Sequence, residues 1–155
     1  FVKTDGSLWV VGSGGSGRLG NGGGSPSAPQ KIVGSAVVSV VTATNHSIFL
    51  KADGSLWGMG NSSYGRLGKG TNELNNSGKT PTKIITSGVV SISVGSDTSF
   101  FVSSDGKFWG TGRNTYGRIG DGSVNDIYAF KQVASGIAVN KESYVAEIAA
   151  DVTDP

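Results

Sequence analysis

The stretch SIFLKADGSLWGMG, residues 47–60, carries the clearest structural signal in this chain. It contains two runs of apolar residues that are separated by Asp53 and Gly54. An Asp-Gly pair supplies the positive φ angles that a two-residue hairpin turn requires. The stretch therefore predicts a β-hairpin of two antiparallel strands. The same pattern occurs in SFFVSSDGKFWGTG, residues 99–112, where we expect the same hairpin.

The predicted register of this hairpin places apolar side chains on both of its faces. With the Asp-Gly pair as the loop, Leu50 opposes Trp57 on one face, while Phe49 and Leu56 lie on the other. A sheet with two apolar faces needs cover on both sides. A blade that is packed between two neighbouring blades of a propeller meets that need.

The hairpin pattern repeats along the chain. Copies of the DGSLW pattern begin at Asp5, Asp53 and Asp105, which are 48 and 52 residues apart. A period near 50 residues is in the range of propeller blades. Each unit continues with a glycine-rich loop, a segment that bears proline, and a β-branched strand such as residues 36–41 or 88–94. The pattern predicts an all-β chain of propeller-type blades with antiparallel strands and shows no convincing helix. Gly-Arg pairs keep the same intervals at Arg18, Arg66 and Arg118.

This order of elements resembles the repeat of the regulator of chromosome condensation family. The shared pattern is a strand, DGxLW, GxGxxxxGRLGxG, a proline and a VVSI-type strand, and the match is best over residues 36–122. The resemblance implies a β-propeller, which in this family has seven blades. Two features depart from the family: the segment SDTS, residues 96–99, lacks the usual histidine, and arginine stands where the loop usually has glutamine.

We expect a single repeat domain, residues 1–155, with units of about 1–35, 36–87 and 88–135 and a partial strand unit at 136–155. About three repeats are fewer than the 4 to 8 blades with which propellers close. The predicted structure is therefore incomplete as a closed propeller. Either the missing repeats lie on a longer chain, or another copy supplies them by head-to-tail complementation of blades or strands. The predicted self-assembly edges are Phe1, Val2, Tyr144, Val145 and Ile148.

The composition excludes several classes of function. The charged fraction of 15% and the net charge of +2 are too low to indicate a nucleic-acid binder, and no apolar run is long enough for membrane insertion. The absence of cysteine excludes disulfides and thiolate chemistry. The one histidine, His46, cannot form a two-histidine metal site, and we interpret it as part of a hydrogen-bond network between blades. We predict no catalytic residue, no metal and no cofactor.

The Gly-Arg loops allow two interpretations. A phosphate-binding glycine loop leads into a helix N-terminus, whereas these loops lead to proline and another strand. The structural interpretation gives the glycines, such as Gly17, Gly20 and Gly22, positive φ angles or close backbone contacts. In it, each arginine bonds carbonyl groups or stacks on a ring. The alternative interpretation is a ring of arginines that contacts an anionic partner, formed by Arg18, Arg66 and Arg118.

The segments that break the repeat are the predicted partner surface. Residues 71–81 are longer than their counterpart in the first unit, and residues 123–130 occupy the same place in the third. Insertions in propellers map to loops on one face, which is often the binding face. Asn-x-Ser/Thr sequences at Asn45, Asn61 and Asn75 matter only in a eukaryotic secretory setting. The predicted partner-binding residues are Glu73, Asn75, Asn76, Lys79, Tyr128 and Phe130.

The function expected from these features is a non-enzymatic scaffold that binds another protein or assembles with itself, as a homo-oligomer or a filament. Low charge, abundant Gly, Ser and Asn, and the lack of cysteine favour a bacterial extracellular or cell-surface location. The resemblance also implies an alternative, a guanine-nucleotide exchange factor or chromatin-associated regulator. A remote alternative is an enzyme inhibitor that uses the exposed aromatic residues Tyr64, Tyr116 and Tyr128.

Overall fold

A computed structural model describes residues 1–71 and 77–139 of the chain. These residues form ten β-strands in three antiparallel sheets, together with three short 3₁₀ turns and no α-helix, which confirms the all-β prediction. Among them, no helix has the length and apolar character needed to cross a membrane. The strands are β1 (Leu8–Val10), β2 (Gln30–Val33), β3 (Val37–Thr42), β4 (His46–Lys51), β5 (Leu56–Asn61), β6 (Ser77–Ile85), β7 (Val89–Val94), β8 (Thr98–Ser103), β9 (Phe108–Gly112) and β10 (Ile127–Ala134).

Each sheet is a blade made from strands that follow one another in the sequence. The first blade pairs β1 with β2, and an isolated bridge between Val2 and Leu8 extends it. The second blade has the order β3-β4-β5-β6, and the third has the order β7-β8-β9-β10. Pro81 lies on β6, where its missing N–H is tolerated because β6 is an edge strand. The predicted strand near residue 145, with Tyr144, Val145 and Ile148, lies outside the described residues.

The predicted register of the hairpin in the second blade is wrong by one residue. Leu50 pairs with Leu56, and Phe49 pairs with Trp57. The pairs that share a face are therefore different from those predicted, although both faces are apolar as expected. The rings of Phe49 and Trp57 stack across the strands with centroids 6.0 Å apart.

The geometry of the turn explains this shift. The Gly54 N–H donates to the Lys51 carbonyl at 2.9 Å, and the Lys51 N–H donates to the Ser55 carbonyl at 3.0 Å. Gly54 has a φ of 76°, whereas Asp53 is not among the residues with positive φ. The loop thus has three residues and ends in a glycine bulge, a common alternative to the two-residue turn. The Asp53 carboxylate stabilises the loop by accepting hydrogen bonds from the Ser55 N–H and hydroxyl.

The core consists of two apolar clusters, one on each side of the second blade. Leu50 and Leu56 face the third blade, whereas Phe49 and Met59 face the first. All four side chains are at most 2% exposed. The second blade is thus covered on both faces, as the hairpin pattern predicted.

Candidate functional site

Three Gly-Arg loops, residues 15–22, 63–70 and 115–122, share an unusual backbone. In the second loop Gly65, Gly68 and Gly70 have φ angles of 78°, 67° and 86°, and their counterparts in the other loops are also positive, as the structural interpretation predicted. Tyr64 and Tyr116 also take positive φ, 61° and 67°, which was not predicted from the sequence. Such angles are uncommon for residues other than glycine.

The second loop docks on the third blade through its main chain. The Arg66 carbonyl accepts a hydrogen bond from the Ser99 hydroxyl at 2.6 Å. The Gly70 N–H donates to the Tyr128 carbonyl at 2.8 Å. A Cβ atom on Gly65 would lie 2.5 Å from the Ile127 carbonyl oxygen, so only glycine permits this approach.

The first loop docks on the second blade in the same way. The Arg18 carbonyl accepts from the Ser47 hydroxyl at 2.9 Å, and the Gly22 N–H donates to the Lys79 carbonyl at 2.8 Å. Ser47 and Ser99 recur at the interval of the repeat, which is the signal by which the sequence could have revealed this contact. Because amides of these loops bond neighbouring strands and the next described element after each loop is a strand, the loops do not have the form of a phosphate cradle.

Arg66 lies inside the protein rather than on an anion-binding surface. It is 3% exposed, and its Nη2 lies 3.0 Å from an Asp97 oxygen. Its Nε donates to the Ser63 carbonyl at 3.0 Å. The Tyr64 ring is near two guanidinium groups, and its centroid lies 5.6 Å from the guanidinium carbon of Arg66 and 5.1 Å from that of Arg113. Sequence reasoning missed Asp97. This residue stands at the position where the preceding repeat has Asn45.

The other two loop arginines have different surroundings. Arg18 is half-buried and its Nε donates to the Gly15 carbonyl at 2.8 Å. Arg118 is exposed and its Nε donates to the Thr115 carbonyl at 3.1 Å. The three arginines thus share the bond that braces the loop but do not form an equivalent set of surface cations.

His46 joins the second blade to the third. Its Nε2 lies 2.9 Å from the Ser99 oxygen. Because the Ser99 hydroxyl donates to the Arg66 carbonyl, the Ser99 oxygen accepts from His46, and the neutral ring carries its proton on Nε2. Burial, with a further effect of the Arg66 charge, lowers the pKa of His46 to about 4. Among the described residues, His46 Nδ1 and Arg66 Nη1 are buried without a hydrogen-bond partner.

The Asp-Gly turns have a structural role in the first two blades. In the first, Asp5 accepts from the Ser7 hydroxyl at 2.6 Å, and the Ser7 oxygen accepts from the Trp9 indole at 2.7 Å. The same chain links Asp53, Ser55 and Trp57 in the second blade. Hydrogen bonds from the serine lower the pKa of Asp5 and of Asp53.

Three of the predicted partner residues lie on strands and not in loops. Lys79 lies on β6, and Tyr128 and Phe130 lie on β10, so the loop interpretation is wrong for these three. The main-chain carbonyls of Lys79 and Tyr128 are bonded to the preceding blade. Phe130 packs edge-on against Phe101 with ring centroids 4.8 Å apart. Glu73, Asn75 and Asn76 lie outside the described residues.

Phe1 and Val2, which were predicted as a self-assembly edge, pair with residues of β1. The amino group of Phe1 donates to the Trp9 carbonyl at 2.9 Å, and the Trp9 N–H donates to the Phe1 carbonyl at 2.9 Å. Val2 packs against the core cluster between the first and second blades. Phe1 is 54% exposed.

Comparison with known families gives a match over most of the chain. The sequence model of the regulator of chromosome condensation (RCC1) repeat matches residues 5–50 and 53–102. A second model of the same repeat matches residues 37–66 and 89–118. No curated protein sequence matches the chain.

Several solved structures are similar to the chain. Prp20p from Saccharomyces cerevisiae, characterised for its binding to Gsp1p and histones, superposes with a TM-score of 0.73 and 16% identity over 97% of this chain and 44% of its own. Human WBSCR16 gives a TM-score of 0.60 and 20% identity over 90% of this chain and 52% of its own. Yeast RCC1 (Prp20) bound to Kap60 gives a TM-score of 0.69 and 17% identity over 96% of this chain and 41% of its own. The chain thus spans about half the length of these structures, and the likeness is one of fold.

Proposed function

The chain belongs to the regulator of chromosome condensation repeat family, and from that premise we propose that it is a non-enzymatic scaffold that assembles with another copy of itself through its third blade. The fold of the family is suited to protein–protein interaction. The finer proposal concerns the face of the third blade that bears the third Gly-Arg loop. A head-to-tail contact at this face produces a ring or a filament.

The exposure of the third loop is the observation that supports this proposal. Tyr116 is 91% exposed, whereas its counterpart Tyr64 is 37% exposed beneath Arg113 of the next blade. Both tyrosines have the same positive φ, so the third loop has the conformation of the docked loops. Val124, which is 67% exposed, adds a second apolar side chain to this part of the third blade. An aromatic side chain held in this way is typical of a contact surface.

The variant Tyr116→Ser tests the proposal. Ser16 occupies the same position in the first loop with a φ of 61°, so serine is compatible with the backbone. We expect the mass of the wild-type chain, measured by sedimentation velocity, to rise with concentration, and the variant to remain a monomer at the same melting temperature. Val11→Ser is the matched control, because Val11 is an exposed apolar residue of the first blade at 46%. A wild-type chain that stays monomeric at high concentration would refute the proposed assembly.

We also place the scaffold outside the cell or at its surface. Low charge, many small polar residues and the absence of cysteine support this location. Protease treatment of intact source cells tests it, since a surface protein is cleaved without lysis. Protection of the chain in intact cells would contradict this placement.

A second candidate function is that of a nucleotide-exchange or chromatin-associated regulator. The similarity of fold to Prp20p, which was studied for its binding to Gsp1p and histones, favours it. Binding of this chain to Gsp1p and to histones can be measured by calorimetry. Absence of binding to both would remove this candidate.

A further inference from the structure

The chain places its own lysine side chains over a tryptophan in the first two blades. Each of these tryptophans follows the Asp-Gly turn, and one lysine lies before the turn while the other lies on the next strand. A lysine ammonium within about 6 Å of a tryptophan ring is attracted to its face. The Nζ-to-centroid distances are 4.0 Å for Lys3 and 5.8 Å for Lys31 over Trp9, and 4.8 Å for Lys51 and 5.3 Å for Lys83 over Trp57.

The third blade has no lysine at either of the two equivalent positions. Trp109 pairs with Gln132 in the register that pairs Trp57 with Lys83. Before the turn, Ser103 stands at the position of Lys51. No lysine is recorded over the Trp109 ring among the described residues.

A lysine and a serine have exchanged places around this turn. The second blade reads KADGSLW over residues 51–57, and the third reads SSDGKFW over residues 103–109. The exchange preserves the link from the indole through serine to aspartate, since the Trp109 indole donates to the Ser103 oxygen at 3.1 Å and the Ser103 hydroxyl donates to Asp105 at 2.5 Å. It therefore removes the cation from the ring without removing the support of the ring.

An open groove of about 470 Å³ lies beside Trp109. Its apolar wall includes Ile85 from the second blade and Phe101, Trp109 and Phe130 from the third. Asp105 also lines the groove, and its side chain is 52% exposed. The groove thus combines aromatic rings with a negative charge, which suits an alkyl chain that ends in a cation.

We propose that this groove binds a lysine side chain of a partner protein. The methylene stem packs against Trp109 and Phe130, and the ammonium group lies near Asp105. The first two blades support this choice of occupant because there the chain's own lysines lie over the equivalent ring. Lys107 already contacts Asp105 at 2.6 Å, but this pair is exposed and such pairs are weak, so it does not exclude a second ammonium group. The groove does not include the third Gly-Arg loop. Binding of a lysine in the groove rests on the proposed scaffold role only in that the lysine belongs to a partner protein.

Nuclear magnetic resonance of the full chain tests the proposal directly. The probe is Nα-acetyl-lysine methylamide, and the neutral control is Nα-acetyl-norleucine methylamide. We expect the lysine probe to shift the indole N–H resonance of Trp109 in a saturable way, with no such shift at Trp9 or Trp57. An equal response to the norleucine probe, or an equal response of the three indoles, would overturn the proposal.

A double substitution supplies the decisive variant. Ser103→Lys combined with Lys107→Ser restores the turn of the second blade without changing composition or net charge. We expect it to weaken binding of the lysine probe about tenfold, because an internal lysine then occupies the ring. The reverse exchange, Lys51→Ser with Ser55→Lys, is the matched control and should leave the Trp109 response unchanged.

The remaining outcomes are also informative. Should the double variant fail to fold, Gln132→Lys places a lysine over the same ring from β10 and should weaken binding in the same way. Unchanged probe binding in the folded variants would refute the lysine site. Since the probe is a small molecule, its binding can be measured whether or not the chain forms oligomers, so failure of the assembly proposal and failure of this one are distinguishable.

Discussion

Arg66 and Arg118 show how one sequence motif acquires two environments. Both follow a Tyr-Gly pair and both donate Nε to a loop carbonyl. Arg66 also meets Asp97 of the next blade at 3.0 Å, whereas Arg118 is exposed. The motif alone predicts the bracing bond, but the burial of the guanidinium depends on the blade that follows.

Replacing Arg66 by glutamine should destabilise the protein much more than the same change at Arg118. Loss of one member of a buried ion pair costs about 3 kcal/mol, because the other charge is left without its partner. The same substitution at the exposed Arg118 should change the free energy of unfolding by less than about 0.5 kcal/mol. Urea denaturation of Arg66→Gln and Arg118→Gln measures both. Equal losses would mean that the Asp97 contact contributes nothing.

His46 should make stability depend on pH between about 7 and 5. Its pKa is about 4 in the folded protein and 6.5 ordinarily, so in this range the unfolded chain takes up a proton that the folded protein does not. Stability therefore falls as the pH is lowered, by about 2 kcal/mol from pH 7 to pH 5. His46→Gln keeps an N–H donor for Ser99 and should flatten the curve, as measured by urea denaturation at each pH. A variant curve as steep as that of the wild type would assign the effect to other groups.

The elements of the blades were predictable to different degrees. The strands β3 and β7 follow from runs of β-branched residues, and the positive φ angles of the loop glycines follow from their repetition. The hairpin register was not predictable from the Asp-Gly pair alone, because the pair fits both a two-residue turn and a three-residue turn with a glycine bulge. The positive φ of Tyr64 has no local cause in its side chain. Tyr116 has a similar angle in the exposed third loop, so the angle belongs to the loop conformation that the repeats share and does not depend on docking.

The second and third Gly-Arg loops allow that docking to be measured. Gly65 and Gly117 have φ angles of 78° and 66°, so alanine is strained at both. A Cβ on Gly65 would lie 2.5 Å from the Ile127 oxygen, whereas the nearest atom to one on Gly117 is the Ser123 oxygen at 3.5 Å. Gly117→Ala should therefore cost about 1 kcal/mol from strain alone, and Gly65→Ala at least about 2 kcal/mol. Thermal denaturation compares them, and equal costs would show that the second loop does not rely on its contact with β10.

At the scale of the whole molecule, the repeat period predicted the blades but not the contacts and the groove that lie between them. The ion pair of Arg66 with Asp97 joins two repeats, and the preceding repeat has Asn45 at the position of Asp97. The groove beside Trp109 lies at a turn where Ser and Lys have exchanged places relative to the second blade. Such features are deviations from the repeat, and their structural consequences become visible only when equivalent positions are compared in three dimensions.

The second blade should couple the other two through opposite faces of one strand. On β5, Leu56 belongs to the cluster shared with the third blade, and Met59 belongs to the cluster shared with the first. Both are at most 1% exposed, so truncation of either to alanine should cost about 2 to 5 kcal/mol. In repeat proteins, stability is a sum of unit and nearest-neighbour terms, so each loss should act mainly on the blade that the residue faces.

Hydrogen exchange of the two variants checks this directional coupling. Leu56→Ala should speed exchange of the amides in β8 more than that in β1, and Met59→Ala should do the reverse. Each variant serves as the control for the other, because the two residues share a strand, a degree of burial and a similar volume change. Identical exchange profiles for both would show that the three blades unfold as one cooperative unit, and the nearest-neighbour description would then not apply to this chain.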